Sequence, residues 1–187
     1  MEALVSGRSL TIRHLDRVVY PRTDTTKGEL LDYYVRIADV MLPHLRDRLL
    51  HMHRYPEGVE GPRFWQKACP EHRPEWLPTA PVWRRDKQAD IHYCVVNELA
   101  ALLWAVNLAS IELHTSLHRR DALHRPTTLA FDLDPGEGVG MLECWKSGSA
   151  TRTRSFRDAR RARARADRGD LFEPVLTLRQ QLRAPRS

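Results

Sequence analysis

Asp132 and Asp134 are the residues of this chain whose type and spacing best suit chemistry. They sit in Thr127-Thr128-Leu129-Ala130-Phe131-Asp132-Leu133-Asp134-Pro135-Gly136-Glu137-Gly138. In an extended strand alternate side chains share a face, so Leu129, Phe131 and Leu133 take one side. Asp132 and Asp134 then take the other, about 7 Å apart at Cα. Two such carboxylates are hard oxygen ligands for Mg2+ or Mn2+, and a two-metal site stabilises the attacking and leaving oxygens of phosphoryl transfer. Pro135 and Gly136 stop the strand and leave the pair at an accessible end. A solvated Asp-x-Asp-Pro-Gly turn accounts for the same string with no ligand at all. A calcium loop does not, because Glu137 stands where an EF-hand needs glycine.

Other residues could handle an anion or a base. Phe64 and Trp65 lie between Arg63 and Lys67, and exposed rings among cations combine base stacking with phosphate contact. Neighbouring strand residues face opposite ways, so at most one ring is expected in the core. Arg17, Arg22 and Lys27 surround a predicted helix start, a setting that suits a terminal phosphate and equally an ordinary solvated face. His51, His53, Cys69 and His72 suggest zinc, but His51 and His53 would project from opposite faces of a strand. Glu112 and His114 are two apart and would share a face, as a satisfied polar pair or as part of a phosphate site. No Walker loop, dinucleotide fingerprint or G-x-S-x-G elbow occurs.

The elements that must position these residues follow from periodicity and punctuation. Leu10, Thr11 and Ile12 predict a short strand, and Tyr20 to Lys27 a turn into a helix. A capping box from Thr26 to Glu29 opens that helix. Leu30, Leu31, Tyr34, Ile37, Ala38 and Met41 recur at helical spacing, and Pro43 is the expected stop. Strands are expected at 49–53, 63–67, 91–95, 111–114 and 127–134, with a proline-rich loop between the second and third. Asn97 is the expected cap of a helix over 99–109 that is apolar on nearly every face and belongs in the core. The alternation predicts a mixed α/β domain.

Composition sets outer bounds. The chain has 187 residues, 42% hydrophobic and 29% charged, which suits one folded domain with or without a tail. Its net charge of +6 is uneven: residues 141–187 carry +7 and the remainder −1. Bulk charge therefore says little about the folded part. Cys69, Cys94 and Cys144 are too few and scattered for a disulfide scaffold, and no signal peptide or bilayer-length apolar run is seen. A cytoplasmic protein without a membrane partner is expected. Residues 144–187 are rich in Arg, Ala and Ser with few aliphatics, and are expected to be disordered or loosely helical.

Taken in order, DRVVYPRTDTTKGELLDYY, HRYPEGVEGPRFWQK, LLWAVNLASIELH and TTLAFDLDPGEG resemble the N-terminal part of one family. It is the polymerase domain of bacterial DNA ligase D, in the archaeo-eukaryotic primase superfamily. The resemblance implies a primase-polymerase fold over residues 9–143: a mixed sheet with flanking helices, followed by the irregular basic tail. It implies template-dependent nucleotide addition at DNA ends in non-homologous end joining, with Mn2+ or Mg2+ as cofactor. Asp132 and Asp134 match its metal ligands and catalytic carboxylates. Lys27 and Arg17 match residues holding a downstream 5′-phosphate, Phe64 and Trp65 an aromatic pair that stacks on DNA, and His114 a nucleotide-site histidine. Implied partners are 5′-phosphorylated DNA ends, nucleoside triphosphates, Ku and a DNA ligase, with association to the nucleoid when DNA is bound. A Ser-Gly-Ser-Lys-Gly segment and a third metal aspartate of the family are not found: Ser147-Gly148-Ser149 continues as Ala150-Thr151. The expectation is a truncated, inactive polymerase domain, its continuation replaced out of frame near Cys144. A non-catalytic module binding 5′-phosphorylated ends is the alternative.

Overall fold

The computed structural model describes residues 1–128, 130–132 and 175–177. The chain divides into two compact units, Met1–Ser116 and Leu117–Ser187.

The first unit opens with a hairpin, β1 (Glu2–Val5) against β2 (Arg8–Thr11). Its two-residue turn, Ser6-Gly7, has positive φ at both positions, the geometry that matches strand twist. β3 (Val18–Tyr20) pairs with the two-residue β4 (Thr25–Thr26) and leads into α1 (Lys27–Leu45). The expected capping box is formed: Thr26 Oγ1 accepts from Glu29 N, and the Glu29 carboxylate accepts from Thr26 N at 2.7 Å. Pro43 does not end the helix as expected. It lies within the last turn, and α1 runs on to Leu45, whose burial in the core anchors the extra residues.

A five-stranded antiparallel sheet forms the body of this unit. β5 (Leu50–Arg54) is its centre, with β9 (Ser110–Thr115) along one edge. The other edge is shared by β6 (Phe64–Gln66) and, at Leu50, by β8 (Ala89–Cys94), beyond which lies β7 (Thr79–Arg84). Pro81, expected in the proline-rich loop, stands inside β7. That strand is an edge of the sheet, where a residue without an N–H can be accommodated.

Side-chain alternation divides the sheet into two unlike faces. Leu50 and Met52 join Leu30, Leu31, Tyr34 and Ala38 of α1 in the core. With them pack residues Ala100 to Val106 of α2 (Leu99–Asn107). His51 and His53, one residue out of phase, point to the face that neither helix covers. Asn97 does not cap α2: its side chain bonds Asp47 instead, and Glu98 holds the cap position with its carboxylate on Arg8 rather than on the helix amides. The turn from α2 into β9 places Ala109 at φ 60°, while its carbonyl accepts from Tyr55 N at 2.8 Å.

One disulfide, Cys69–Cys94, joins the proline-rich loop to β8 with Cα atoms 4.9 Å apart. Spacing alone gave no reason to pair two cysteines 25 residues apart. The hairpin of β7 and β8 returns the chain to the same place.

In the second unit β10 (Ala130–Asp132) realises part of the expected 127–134 strand. It pairs in parallel with β11 (Val175–Thr177), Ala130 opposite Val175 and Asp132 opposite Thr177. The region expected to be irregular thus contributes a strand at one of its few aliphatic, β-branched stretches. Asp134 lies outside the described residues, as does the remainder of 144–187.

Candidate functional site

The sheet face turned away from α1 and α2 carries a polar and aromatic cluster set by strand register. His53 lies opposite Glu112 of β9 on one side and Trp65 of β6 on the other. His51 lies opposite His114. Glu112 is the node: Tyr55 Oη donates to its Oε1, His53 Nδ1 lies 3.3 Å from the same oxygen, and His114 Nε2 lies 3.1 Å from Oε2. The Tyr55 hydrogen bond is the main reason the Glu112 carboxyl is held down at about 2; His114 and His53 add to it and burial opposes it. Glu112 is therefore an anion at neutral pH that accepts from three neighbours.

Trp65 completes the cluster. Its ring lies parallel to the His53 imidazole, centroids 4.3 Å apart and planes 6° apart, and meets His114 edge-on at 4.7 Å. Half of Trp65 remains exposed (51%), whereas His53 and Tyr55 behind it are 8% and 4% exposed. Phe64 points to the opposite side of β6, also exposed, beneath the Arg54 guanidinium at 5.2 Å. Arg54 is fixed there by Leu108 O at 2.8 Å and Gln66 Oε1 at 2.6 Å. Neither ring is in the core: both are exposed on a three-residue strand at the end of the sheet order. His51 stacks on Tyr93, and burial, the leading cause, lowers its pKa to about 4, so it is neutral at pH 7.

Lys27 and Arg17 lie together at the start of α1. Lys27 is only 7% exposed; its Nζ donates to Arg13 O at 2.8 Å and Asn107 Oδ1 at 2.7 Å. Burial, and secondarily the Arg17 charge, pull its pKa from 10.5 to about 8. Arg17 is exposed and donates to Pro56 O. The first amides of the helix are already satisfied. Lys27 N bonds Arg17 O, Gly28 N bonds Leu15 O, and Glu29 N bonds Thr26 Oγ1. Contrary to the expectation of a phosphate on the helix terminus, any anion contact here falls to side chains.

Of the acidic pair, Asp132 ends β10, and Asp134 is outside the described residues. The zinc alternative loses its thiolate, since Cys69 is bonded to Cys94. Among the described residues no three His, Cys, Asp or Glu side chains gather as a metal site, and no helix is long and apolar enough to cross a membrane. The sequence reading brought together Glu112 and His114, and named Trp65, but missed Tyr55 as their anchor. The available signal was alternation: His53 on β5 and Tyr55 just past its end are spaced like Glu112 and His114 on β9.

An antiparallel sheet backed by two helices on one side, with a histidine–carboxylate and aromatic cluster on the other, is an α/β scaffold of the primase-polymerase class. Residues 26–158 match the family described as LigD, primase-polymerase domain, and the chain belongs to that family. It is 39% identical over 130 residues to the multifunctional non-homologous end joining protein LigD of Mycolicibacterium smegmatis, covering 68% of this chain and 17% of that protein. It is 35% identical over 155 residues to the LigD end joining DNA repair protein of Mycobacterium tuberculosis H37Rv, covering 79% and 20%. The bifunctional LigD of Bacillus subtilis is 26% identical over 126 residues, covering 67% and 20%. The chain thus spans a fifth or less of these relatives. Among solved structures, the polymerase domain from Mycobacterium tuberculosis ligase D in complex with DNA superposes with a TM-score of 0.66 at 29% identity, covering 78% of this chain and 53% of that one. The family is one of metal-dependent nucleotidyltransferases.

Proposed function

We propose that this chain handles DNA ends and nucleotides as a polymerase module of non-homologous end joining. The observation that carries this is the Trp65 platform: an exposed ring backed by a parallel imidazole, beside a histidine fixed by a carboxylate, on the sheet face turned away from the helices. Such a ring offers one π face to a base, and stacking of this kind is worth about 1–3 kcal/mol per base. His114, at its edge, contacts the incoming nucleoside triphosphate. Phe64, on the other side of the same edge strand and held under Arg54, gives the DNA a second surface to stack on.

Arg17 and Lys27 receive the 5′-phosphate of the downstream strand. Lys27 uses two of its three N–H groups on Arg13 and Asn107, so its ammonium is oriented before a ligand arrives and one donor remains. Arg17, exposed and constant in charge, makes the outer contact.

Asp132 and Asp134 hold the metal, Mn2+ or Mg2+. The donor set fits: both are hard carboxylates at alternate positions of a segment whose described part is extended and ends on Asp132. When bound, the ion supplies charge neutralisation at the phosphates. The chain's own part is to bind, stack and orient the two substrates. Ku and a DNA ligase are the partners such a module would serve.

The test is anisotropy binding of a gapped DNA with a 5′-phosphate, followed by primer extension with Mn2+. Wild type is expected to bind, and Trp65→Ala to bind about 5- to 100-fold more weakly. Equal binding by Trp65→Ala refutes the platform. Extension identifies a polymerase, whereas 5′-phosphate-dependent binding without extension identifies an end-binding module.

A further inference from the structure

The hydrogen bonds around Glu112 fix which nitrogen of each neighbouring imidazole carries a proton toward it. Ionised Glu112 has no proton to give, so every partner must donate to it. Tyr55 spends its single hydroxyl proton on Oε1. His53 Nδ1, 3.1 Å from the Tyr55 oxygen and 3.3 Å from Oε1, must then carry a proton shared between them. His114 Nε2, 3.1 Å from Oε2, must likewise be protonated. His53 and His114 thus turn opposite ring nitrogens to the carboxylate, Nδ1 from one and Nε2 from the other, and His114 is left with Nδ1 turned away from it.

We propose that Tyr55 and His53 are positioning residues that act through Glu112 to fix the tautomer and orientation of His114, making Nδ1 the imidazole atom offered to the nucleotide. The nucleotide half of this statement rests on His114 being a nucleotide contact, as read above. Burial gives the arrangement its rigidity. Tyr55 and His53 lie behind the exposed Glu112 and His114, and Tyr55 is tied to the sheet through its own amide on Ala109 O. His53 has a second task, since the ring that holds Glu112 is also the ring on which Trp65 lies. One buried pair therefore sets the geometry of the stacking surface and of the histidine beside it. The register gives this role its sequence form: His53 faces Glu112, with Tyr55 two residues on from His53 and His114 two residues on from Glu112, on opposite sides of that pair.

The experiment uses the full chain labelled with 15N, at a pH where the rings are neutral. Long-range proton–nitrogen spectra are expected to show His53 protonated on Nδ1 and His114 on Nε2, with the His114 Nε2 proton visible because its exchange is slowed. Tyr55→Phe deletes the hydroxyl and keeps the ring; Glu112→Gln keeps size and removes the charge. Each is expected to abolish the visible His114 Nε2 proton and to weaken ATP binding about fivefold, the value of one ordinary hydrogen bond. His114→Ala gives the full loss for comparison. A His114 protonated on Nδ1 in the wild type overturns the proposal. So does a Tyr55→Phe protein whose His114 signals and ATP affinity are unchanged. If wild type binds no ATP, the functional reading fails, and the imidazole spectra alone decide the positioning. If His114→Ala weakens ATP but neither Tyr55→Phe nor Glu112→Gln does, the functional reading stands and the positioning fails.

Discussion

Raising the pH from 7 to 9 is expected to erase much of this chain's preference for a 5′-phosphorylated DNA end over a 5′-hydroxyl end. The reason is Lys27, whose ammonium is buried against Arg13 and Asn107 and whose pKa is pulled down to about 8. A group with that pKa is about nine-tenths charged at pH 7 and about one-tenth charged at pH 9. The phosphate does not change over this window, since its second pKa is about 6. If the charged form alone pairs with it, the phosphate preference declines about tenfold, or about 1.4 kcal/mol. Arg17 stays charged throughout and contributes no slope. The measurement is the ratio of affinities for the two ends at half-unit pH steps and fixed ionic strength. Lys27→Met is expected to lower the preference at pH 7 about ten- to hundredfold, as for loss of a charged hydrogen bond, and to flatten the profile. A wild-type ratio constant from pH 7 to 9, or a Lys27→Met protein that keeps the ratio, refutes the reasoning. The same shift has a stability consequence. Between about pH 8 and 10.5 the unfolded chain holds the Lys27 proton more tightly than the fold, so this residue makes stability rise with pH.

Three further outcomes are expected. Ala109→Gly relieves a left-handed φ of 60° and should stabilise the fold by about 0.5 kcal/mol after the added freedom of the unfolded chain, readable as a raised urea midpoint; a lowered midpoint counts against it. Reducing Cys69–Cys94 reopens a loop of 25 residues and should cost about 3 kcal/mol by chain entropy, seen as a lower melting temperature in dithiothreitol that Cys69→Ser reproduces without reductant. Glu112, lowered to about 2, contributes stability that is present above its ordinary value of 4.5 and is lost as pH falls through about 2. Comparing acid titrations of wild type and Tyr55→Phe tests this, since the variant should lose that contribution at a higher pH.

Local chemistry was legible in the sequence wherever neighbours along the chain decide the outcome. The Thr26–Glu29 capping box, the apolar stripe of α1, the core helix α2 and the strands around His53, Trp65 and His114 all follow from spacing. Glu112 and His114 were placed on one face because strand alternation needs no partner. Where tertiary packing competes, the sequence was a poorer guide. Pro43 was outvoted by the burial of Leu45, Pro81 was admitted to a strand because that strand is an edge, and Asn97 chose Asp47 over its own helix.

The sequence by itself determined which side chains could take part: the family motifs, the hard carboxylates, the aromatic pair and the cations at the start of α1. Only the tertiary structure decided what they meet. Tyr55 and Glu112 are separated by 57 positions and Lys27 and Asn107 by 80, distances across which no periodicity carries information. Antiparallel register brings the first pair together, and burial turns the second into a lysine of lowered pKa, because desolvation depends on what surrounds an ion and not on its neighbours in the chain.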